Sequence, residues 1–277
     1  MAMIELVNGA LNATIDSDDG MNVISLKYRD VELVEFDQTR KDAGRAYAIP
    51  VLFPTPNRTK DGYYEFDGFK VPATQHGFAR KTPFTIVSKE PSCVVSQAHF
   101  EKTEEFPYDI IFTVKISLEE NKARWDFNID NRSGNRFPFG LALHPFFRKD
   151  AFTGVSSTLK KSMLMDESYL PTGVTEDADF SEIAPLKTLN VNCVFLSDES
   201  IVSRLENDDF SMTIKGSEEF NHVVLYTGTD FSFICVEPQT CSTDFINLHK
   251  RGFEKEANML IVEGGEKRDL SIEFIFG

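Results

Sequence analysis

The sequence predicts an all-β protein, folded as one large antiparallel β-sandwich. Segments in which apolar or β-branched residues alternate with polar ones cover much of the chain, as in half-buried strands. Short turn signals rich in Gly, Asp and Asn separate these segments, and no amphipathic helix longer than two turns is apparent. The 277 residues contain no internal repeat and no Pro-, Gly- or Ser-rich linker, so we predict a single domain over residues 1–277.

The strands are predicted in chain order wherever this alternation is clear. The first covers residues 22–36, and a hairpin follows at 63–72, where Asp67-Gly68 joins two aromatic-rich arms. The other predicted strands lie at residues 84–90, 92–102, 108–121, 123–131, 223–237 and 268–277. Many short strands at this spacing favour a sandwich with a broad concave sheet.

Composition and charge exclude several classes of partner. The 29 Lys and Arg residues against 44 Asp and Glu residues give a net charge of −15. Such a surface repels nucleic acid and anionic membranes, because it lacks the basic excess that binds phosphate groups. No apolar run approaches the roughly 20 residues of a spanning helix, and no signal peptide is expected. The four cysteines lack C-x-x-C spacing, which favours reduced thiols and a cytoplasmic protein.

Two of the five histidines stand out as candidates for chemistry. His76 in "TQHGFAR" and His144 in "LALHPFFR" are surrounded by small, apolar and aromatic residues, and each precedes a residue that bends the backbone. One histidine in such surroundings is often a core residue, but the two together favour a site. His99 and His249 are expected to be exposed, whereas His222 opens a strand and could be structural or functional.

A carboxylate and a polar turn complete the set of candidates. Glu237 in "FICVEPQT" follows five mostly apolar residues, and a buried acid is costly unless it is paired or used. The proline after it predicts that the strand ends there, with the carboxylate at the rim of the sheet. Asn57 and Arg58 lie in a proline-rich turn and offer donors to hydroxyls or carboxylates. A salt-bridged structural glutamate and an ordinary surface turn are the alternatives.

Two histidines, a glutamate and an arginine are compatible with three kinds of chemistry. Zinc accepts two His and one carboxylate, but the short His-x-His or His-x3-His pairs common in such sites are absent, so we expect no metal. Glycoside hydrolysis normally needs two carboxylates, and only one buried acid stands out. General acid–base catalysis by a His and a Glu needs neither a metal nor a nucleophile.

The chain resembles the aldose 1-epimerase (galactose mutarotase-like) family in an ordered set of strings. They are "NR" in the proline-rich turn, "HGFAR" about twenty residues later, "LALHPFF", "DESYLPTG", "CVEPQT" and "GGEKRDLSIEF". The resemblance implies a large antiparallel sandwich of the supersandwich type. It also implies an isomerase that interconverts the α and β anomers of an aldose without a cofactor.

The same resemblance implies roles for individual residues. Glu237 would be the general base that removes the proton of the C1 hydroxyl. His144 would be the general acid that protonates the ring oxygen. His76, the third residue of the catalytic group, and Arg58 would hydrogen-bond the sugar, and Asn57 would bind the sugar beside them.

The chain departs from the family pattern at two positions that bear on the substrate. Many relatives carry an Asp that binds sugar hydroxyls, and Asn192 stands in its place here. "HGFAR" also resembles the hexose-6-phosphate branch of the family, in which Arg80 would grip the phosphate; the alternative for Arg80 is a structural residue that braces the loop.

These departures leave the substrate and the assembly open. The expected partner is a small-molecule sugar, either a hexose or a hexose phosphate, and the expected assembly is a monomer or a homodimer. A hexose-6-phosphate 1-epimerase and a non-catalytic carbohydrate-binding protein remain as alternatives to an aldose 1-epimerase.

Overall fold

A computed structural model describes residues 3–228 and 232–277, and it is dominated by strands. The strands are β1 (Met3–Asn8), β2 (Leu11–Asp16), β3 (Asn22–Tyr28), β4 (Val31–Glu32), β5 (Val51–Leu52), β6 (Tyr63–Phe66), β7 (Phe69–Pro72), β8 (Thr85–Glu90), β9 (Cys93–Phe100), β10 (Ile110–Glu119), β11 (Lys122–Asn131), β12 (Phe137–Phe139), β13 (Ala142–Leu143), β14 (Phe146–Arg148), β15 (Gly154–Ser157), β16 (Lys161–Met165), β17 (Pro171–Asp177), β18 (Phe180–Pro185), β19 (Asn192–Leu196), β20 (Val202–Glu206), β21 (Ser211–Gly216), β22 (His222–Thr227), β23 (Phe233–Gln239), β24 (Leu260–Val262) and β25 (Lys267–Phe276). The α-helices of the described residues are α1 (Gln38–Asp42), α2 (Phe245–Lys250) and α3 (Glu254–Ala257), all of two turns or fewer. The predicted all-β class is therefore confirmed.

Two large antiparallel sheets form the body of the protein. One sheet has the order β18-β15-β20-β21-β25-β11-β10-β9-β8. The other has the order β17-β16-β19-β22-β23-β13-β5, and β14 also pairs with β23. Smaller sheets are formed by β1–β4, by β6 with β7 and by β12 with β24. None of the helices in the described ranges is long and apolar enough to cross a membrane.

The core lies between the two large sheets, because each sheet turns one apolar face inward. Along β10 every second residue is buried, as the two-residue period of a strand requires. Aromatic contacts join the sheets: the ring centroids of Phe53 and Phe112 are 4.2 Å apart, and those of Phe147 and Phe274 are 5.7 Å apart. The connected cluster of buried apolar residues extends from Ile4 to Phe276.

Most of the predicted strands are present, and two of them are interrupted. The predicted strand at 22–36 is broken into β3 and β4 by Arg29 and Asp30, which have φ of 48° and 65°. Two consecutive residues with positive φ form a tight hairpin turn. Arg is unusual in such a turn, so nothing in the sequence indicated that the strand breaks at this point. The predicted strand at 223–237 is two strands, β22 and β23; residues 229–231 of that prediction lie outside the described residues.

The sequence analysis missed β1, β2, every strand from β15 to β21, and the short strands β5, β12, β13, β14 and β24. The N-terminal pair has a clear inside–outside pattern, with Ile4, Leu6, Leu11, Ala13 and Ile15 buried. Small and polar residues between these positions hid the pattern. In the second region β18 exposes most of its residues, so it lacks the apolar alternation that identifies a strand from sequence.

Candidate active site

Glu237 lies in the middle of β23, on the face of the eight-stranded sheet that points away from the core. Ile234 and Val236 point into the core, so Cys235, Glu237 and Gln239 point to the other side, which we call the site face. The position opposite Glu237 on β22 is Val224. Glu237 is only 2 % exposed, so the carboxylate is covered even though it faces away from the core.

The prediction that Pro238 ends the strand is wrong. Pro238 pairs with Val223, and β23 continues to Gln239. On its other side β23 is flanked by β13 and β14, and these two strands are separated by His144 and a proline. Proline is tolerated where a strand has no continuous neighbour to which its backbone would donate. Glu237 therefore lies inside the sheet and not at its rim.

The gap between β13 and β14 brings His144 to Glu237. The backbone N–H of His144 donates to the carbonyl of Pro50 at 3.1 Å, and the imidazole stacks on the ring of Phe146 with centroids 4.5 Å apart. In this position Nε2 of His144 is 3.4 Å from Oε1 of Glu237. His144 is 7 % exposed, so the two groups form a buried pair.

Burial shifts the pKa values of this pair in opposite directions. Burial raises the pKa of the Glu237 carboxyl well above its ordinary value, although the hydrogen bond from Gln239 opposes this shift. The pKa of His144 is lowered, first by burial and then by repulsion from His76 and Arg40. Among the described residues Nδ1 of His144 has no hydrogen-bond partner, so the second N–H of an imidazolium would be unsatisfied. Both charged forms are therefore disfavoured in the free site.

His76 is held beside His144 by an unusual backbone at the start of "HGFAR". His76 and Gly77 have φ of 67° and 70°, in the left-handed region. Gly77 forms a parallel bridge with Phe53, and a Cβ on Gly77 would lie 2.1 Å from the Phe53 carbonyl oxygen. Only glycine permits this approach. The ring centroids of His76 and His144 are 5.3 Å apart.

The ionisation state of His76 follows from its surroundings. Burial, together with repulsion from Arg80 and Arg58, lowers the pKa of His76 to about 3, so the ring is neutral near pH 7. Its Nδ1 accepts the backbone N–H of Asn57 at 3.3 Å. This bond favours the tautomer with the proton on Nε2, which requires the exposed side-chain amide of Gln75, 3.4 Å from Nε2, to turn its oxygen toward the ring. As a neutral ring, His76 can then donate a hydrogen bond from Nε2.

A chain of side-chain amides leads from the turn at residue 57 to the carboxylate. Nδ2 of Asn57 donates to Oε1 of Gln239 at 2.9 Å, and Nε2 of Gln239 donates to Oε2 of Glu237 at 3.0 Å. Gln239 is fully buried. These bonds occupy one oxygen of Glu237 and leave Oε1 facing His144.

Comparison with known families assigns the chain to one of them. A profile described as aldose 1-epimerase matches residues 2–274.

The chain belongs to the aldose 1-epimerase family.

Solved structures of similar fold agree with this membership. A putative aldose 1-epimerase from Escherichia coli K12 superposes with a TM-score of 0.84 at 17 % identity, covering 100 % of this chain and 99 % of its own. For a galactose mutarotase-like protein from Clostridium acetobutylicum the TM-score is 0.88 at 18 % identity, covering 99 % and 95 % of the two chains. An aldose epimerase homologue from C. elegans gives 0.83 at 16 % identity, with 100 % and 98 % covered. The predicted sandwich of the galactose mutarotase-like type is confirmed.

The other predicted residues of this epimerase surround the pair at different distances. Arg58 is exposed, and its guanidinium carbon lies 5.5 Å from the ring centroid of Tyr169. Arg80 is half-buried; its Nη2 donates to the carbonyl of Gly44 at 3.1 Å, and its Nε has no hydrogen-bond partner among the described residues. The contact with Gly44 is that of a residue that braces a loop.

Asn192 of this epimerase is also on the site face. It is exposed on β19 and pairs with Tyr226 of β22, which in turn pairs with Cys235 of β23. Paired residues point to the same side of a sheet, so Asn192 and Glu237 share a face. Two strand spacings separate β19 from β23, which is about 10 Å.

Several residues near the pair were not found from the sequence. Gln239 could have been found, because it follows Glu237 by two residues and so points to the same face. Arg40 could not have been found from the sequence, because α1 is a short polar helix with no pattern that indicates a site. Its guanidinium carbon lies 4.7 Å from the ring centroid of Phe146 and 5.5 Å from that of Phe233. These three residues help to line a cavity of about 270 Å³ beside His144.

One group of side chains at the site could offer ligands to a metal. His144, Cys235 and Glu237 each provide one ligand atom, and these atoms lie within 4.8 Å of one another. A thiol binds metals as the thiolate, and burial raises the pKa of Cys235 well above its ordinary value. Cys235 is therefore a neutral thiol beside His144 and Glu237. All four cysteines of the chain are unpaired.

Proposed function

We propose that this protein is an aldose 1-epimerase that interconverts the α and β anomers of a hexose, with Glu237 as general base and His144 as general acid. The observation that carries the proposal is the 3.4 Å separation between Nε2 of His144 and Oε1 of Glu237. In a cyclic aldose the anomeric hydroxyl and the ring oxygen are bonded to the same carbon. An acid and a base that act on these two oxygens together must lie close to each other, as these two groups do.

The reaction then follows as a balanced proton exchange. Oε1 of Glu237 removes the proton of the C1 hydroxyl while Nε2 of His144 gives its proton to the ring oxygen. The C1–O5 bond breaks and its electron pair remains on O5, and C1 becomes an aldehyde. Rotation about the C1–C2 bond presents the other face of the carbonyl to O5. The reverse transfers close the ring and restore both groups, each of which is expected to contribute about 10²–10⁴-fold in rate.

The protonation state of the buried pair suits a reaction that runs in both directions. Ring opening starts with a carboxylate and an imidazolium and ends with a carboxylic acid and a neutral imidazole. Burial favours the second state in the free enzyme. Each state carries one proton more than a carboxylate with a neutral imidazole. The change between the two states therefore moves protons within the site and exchanges none with solvent. Hydroxyl groups of the bound sugar that donate to Oε1 would stabilise the carboxylate and favour opening.

Neighbouring residues would hold the sugar over this pair. His76 would donate from Nε2, because its Nδ1 already accepts the N–H of Asn57. Arg58 and Asn192 would bind hydroxyls farther from C1, since Asn192 is exposed on the site face and the exposed Arg58 acts electrostatically on His76. Hexose 6-phosphate is the alternative substrate, favoured by the electrostatic influence of Arg40, Arg58 and Arg80 on the two histidines. The monomeric or dimeric state and the cytoplasmic location stay predictions.

Polarimetry tests the proposal directly. A single anomer of glucose, galactose, glucose 6-phosphate or another aldose is dissolved, and the decay of optical rotation is followed with and without the protein. Acceleration with a free hexose supports the proposed substrate, and acceleration only with the sugar phosphate supports the alternative. Tight calorimetric binding of a sugar without any acceleration would show a carbohydrate-binding protein and would overturn the proposal.

A further inference from the structure

We infer that Asn57 is a positioning residue that acts through Gln239 to keep the carboxylate of Glu237 ionisable and its Oε1 free to react. The inference rests on the proposed function, since it assigns Glu237 the role of base. It differs from the expected role of Asn57, which was to bind the sugar. The feature that carries it is the direction of the two hydrogen bonds that join Asn57, Gln239 and Glu237.

The direction of these bonds is fixed by the chemistry at each end. The ionised form of Glu237, which is the form that acts as a base, only accepts hydrogen bonds, so it requires the observed orientation in which Gln239 presents its NH₂ group to Glu237. The carbonyl oxygen of the same amide then points the opposite way and needs a donor, because Gln239 is fully buried. The NH₂ group of Asn57 is that donor at 2.9 Å. Asn57 thus selects the orientation of Gln239 in which the carboxylate is stabilised.

Asn57 also fixes the state of the second half of the site. Its backbone N–H donates to Nδ1 of His76, and its carbonyl accepts the backbone N–H of His76 at 2.8 Å. These bonds hold His76 as the tautomer with the proton on Nε2. One residue of the proline-rich turn therefore sets both the orientation of the base and the tautomer of the neighbouring donor.

The backbone at position 57 determines which substitutions are informative. Asn57 has φ of 61°, a conformation that Asn, Asp and Gly adopt most readily. Asn57→Asp keeps the shape of the side chain but replaces its donor with an acceptor, so Gln239 must rotate and present its carbonyl to Glu237. Asn57→Gly keeps the backbone and removes the side chain, so Gln239 can still donate to Glu237. Both variants lose the hydrogen bond from Asn57 to Gln239, but only Asn57→Asp reverses the Gln239 amide. Comparing them therefore separates the effect of the reversed amide from the effect of the lost bond.

The groups that face Glu237 limit what else could change its ionisation. His144 faces it from the gap between β13 and β14, and Cys235 and Gln239 face it from its own strand. Arg40 of α1 influences His144 and Cys235. Neither substitution at Asn57 alters any of these side chains, so a change in Glu237 must arrive through Gln239 or from the new charge itself.

The test measures kinetics and the ionisation of Glu237 separately. In Asn57→Asp we expect kcat to fall by about 10²-fold with KM within about threefold of wild type, and the alkaline limb of the kcat/KM profile to move to higher pH. In Asn57→Gly both changes are expected to be clearly smaller. Carbon-13 NMR of protein labelled at the glutamate carboxyls, with the Glu237 signal assigned by its absence from Glu237→Gln, should show a raised pKa of Glu237 in Asn57→Asp.

Controls make each outcome decisive. Asn190→Asp adds the same charge at an exposed asparagine and is expected to change neither profile. If Asn57→Asp does not fold, Gln239→Met removes the donor to Glu237 while keeping a similar shape, and it should raise the pKa of Glu237 in the same direction. Coinciding pKa values for Glu237 in the Asp and Gly variants, or an unchanged value in Gln239→Met, would overturn the inference. Because the NMR readout does not need turnover, a wild type that anomerises no sugar would refute the proposed function alone.

Discussion

Nε2 of His144 lies 3.4 Å from Oε1 of Glu237, although the two residues belong to different strands and neither is more than 7 % exposed. The interruption between β13 and β14 makes this contact possible, because it turns the imidazole toward the site face beside an unbroken β23. In the proposed mechanism, this buried acid and base, neither of which carries a permanent charge, would transfer one proton in each direction.

Removal of either member of the pair should abolish most of the activity. Glu237→Gln and His144→Asn preserve size and are expected to lower kcat/KM by at least about 10²-fold each, because each removes a group that transfers a proton. Polarimetry measures the rates, and circular dichroism with thermal melting verifies the fold. A rate near that of wild type in either folded variant would contradict the assigned role.

The pH dependence of the reaction should be broad and flat across neutrality. The reacting form is the pair with one proton. A raised pKa on Glu237 means that the pair loses its one proton only well above neutral pH, and a lowered pKa on His144 means that it gains a second proton only well below neutral pH. The kcat/KM profile from polarimetry should therefore fall only at the extremes. A single steep transition near the ordinary histidine pKa of 6.5 would show that burial does not control His144.

Arg40 should set the acid limit of this range. Its charge helps to lower the pKa of His144, so Arg40→Gln should raise that pKa. The doubly protonated pair then persists to higher pH, and the acid limb of kcat/KM moves toward neutrality. Arg45→Gln is the matched control, because Arg45 is an exposed arginine five residues away. Equal profiles for the two variants would mean that Arg40 does not act on the pair.

His76 should contribute to sugar binding and not to proton transfer. Its pKa of about 3 keeps it neutral over the working range, so its loss removes a donor without removing a titrating group. His76→Gln is expected to raise KM more than it lowers kcat and to leave the shape of the pH profile unchanged. A shifted limb in this variant would instead indicate that His76 exchanges protons during the reaction.

Gly77 should be far less tolerant of alanine than a glycine with similar φ elsewhere. Gly77→Ala places a Cβ 2.1 Å from the carbonyl oxygen of Phe53, whereas Gly68 has φ of 83° and open space around it. We expect Gly68→Ala to lower the free energy of unfolding by about 1–2 kcal/mol through backbone strain alone, and Gly77→Ala by more than about 3 kcal/mol. Urea denaturation of both variants measures the difference, and equal losses would show that the close approach is unimportant.

The sequence predicted the class of fold because long strands such as β10 and β11 carry their alternation openly. It could not locate the exposed strands such as β18, whose residues are specified by pairing partners and not by burial. For the site, His76, His144 and Glu237 could be selected from the sequence because each is surrounded by apolar residues. The fold then brings these three side chains together. The place of Glu237 inside the sheet was mispredicted, because the effect of Pro238 depends on whether a neighbouring strand needs its N–H.

Residues that act through others were the hardest to predict. Gln239 could have been found from its two-residue offset to Glu237, but its partner Asn57 is separated from it by most of the chain and meets it only in the folded protein. Arg40 carries no pattern at all, since its role depends on the rings of Phe146 and Phe233 that come from distant strands.

The bridge between Gly77 and Phe53 also has a consequence for how a sugar enters. Because the two backbones touch, the segment that carries His76 is anchored to the sheet and cannot swing outward as a lid. In our proposal, the movement that admits a sugar to the buried pair belongs to other groups, such as the exposed side chains of Arg58 and Tyr169. Crystals grown without ligand should therefore accept a sugar by soaking without any shift in that segment.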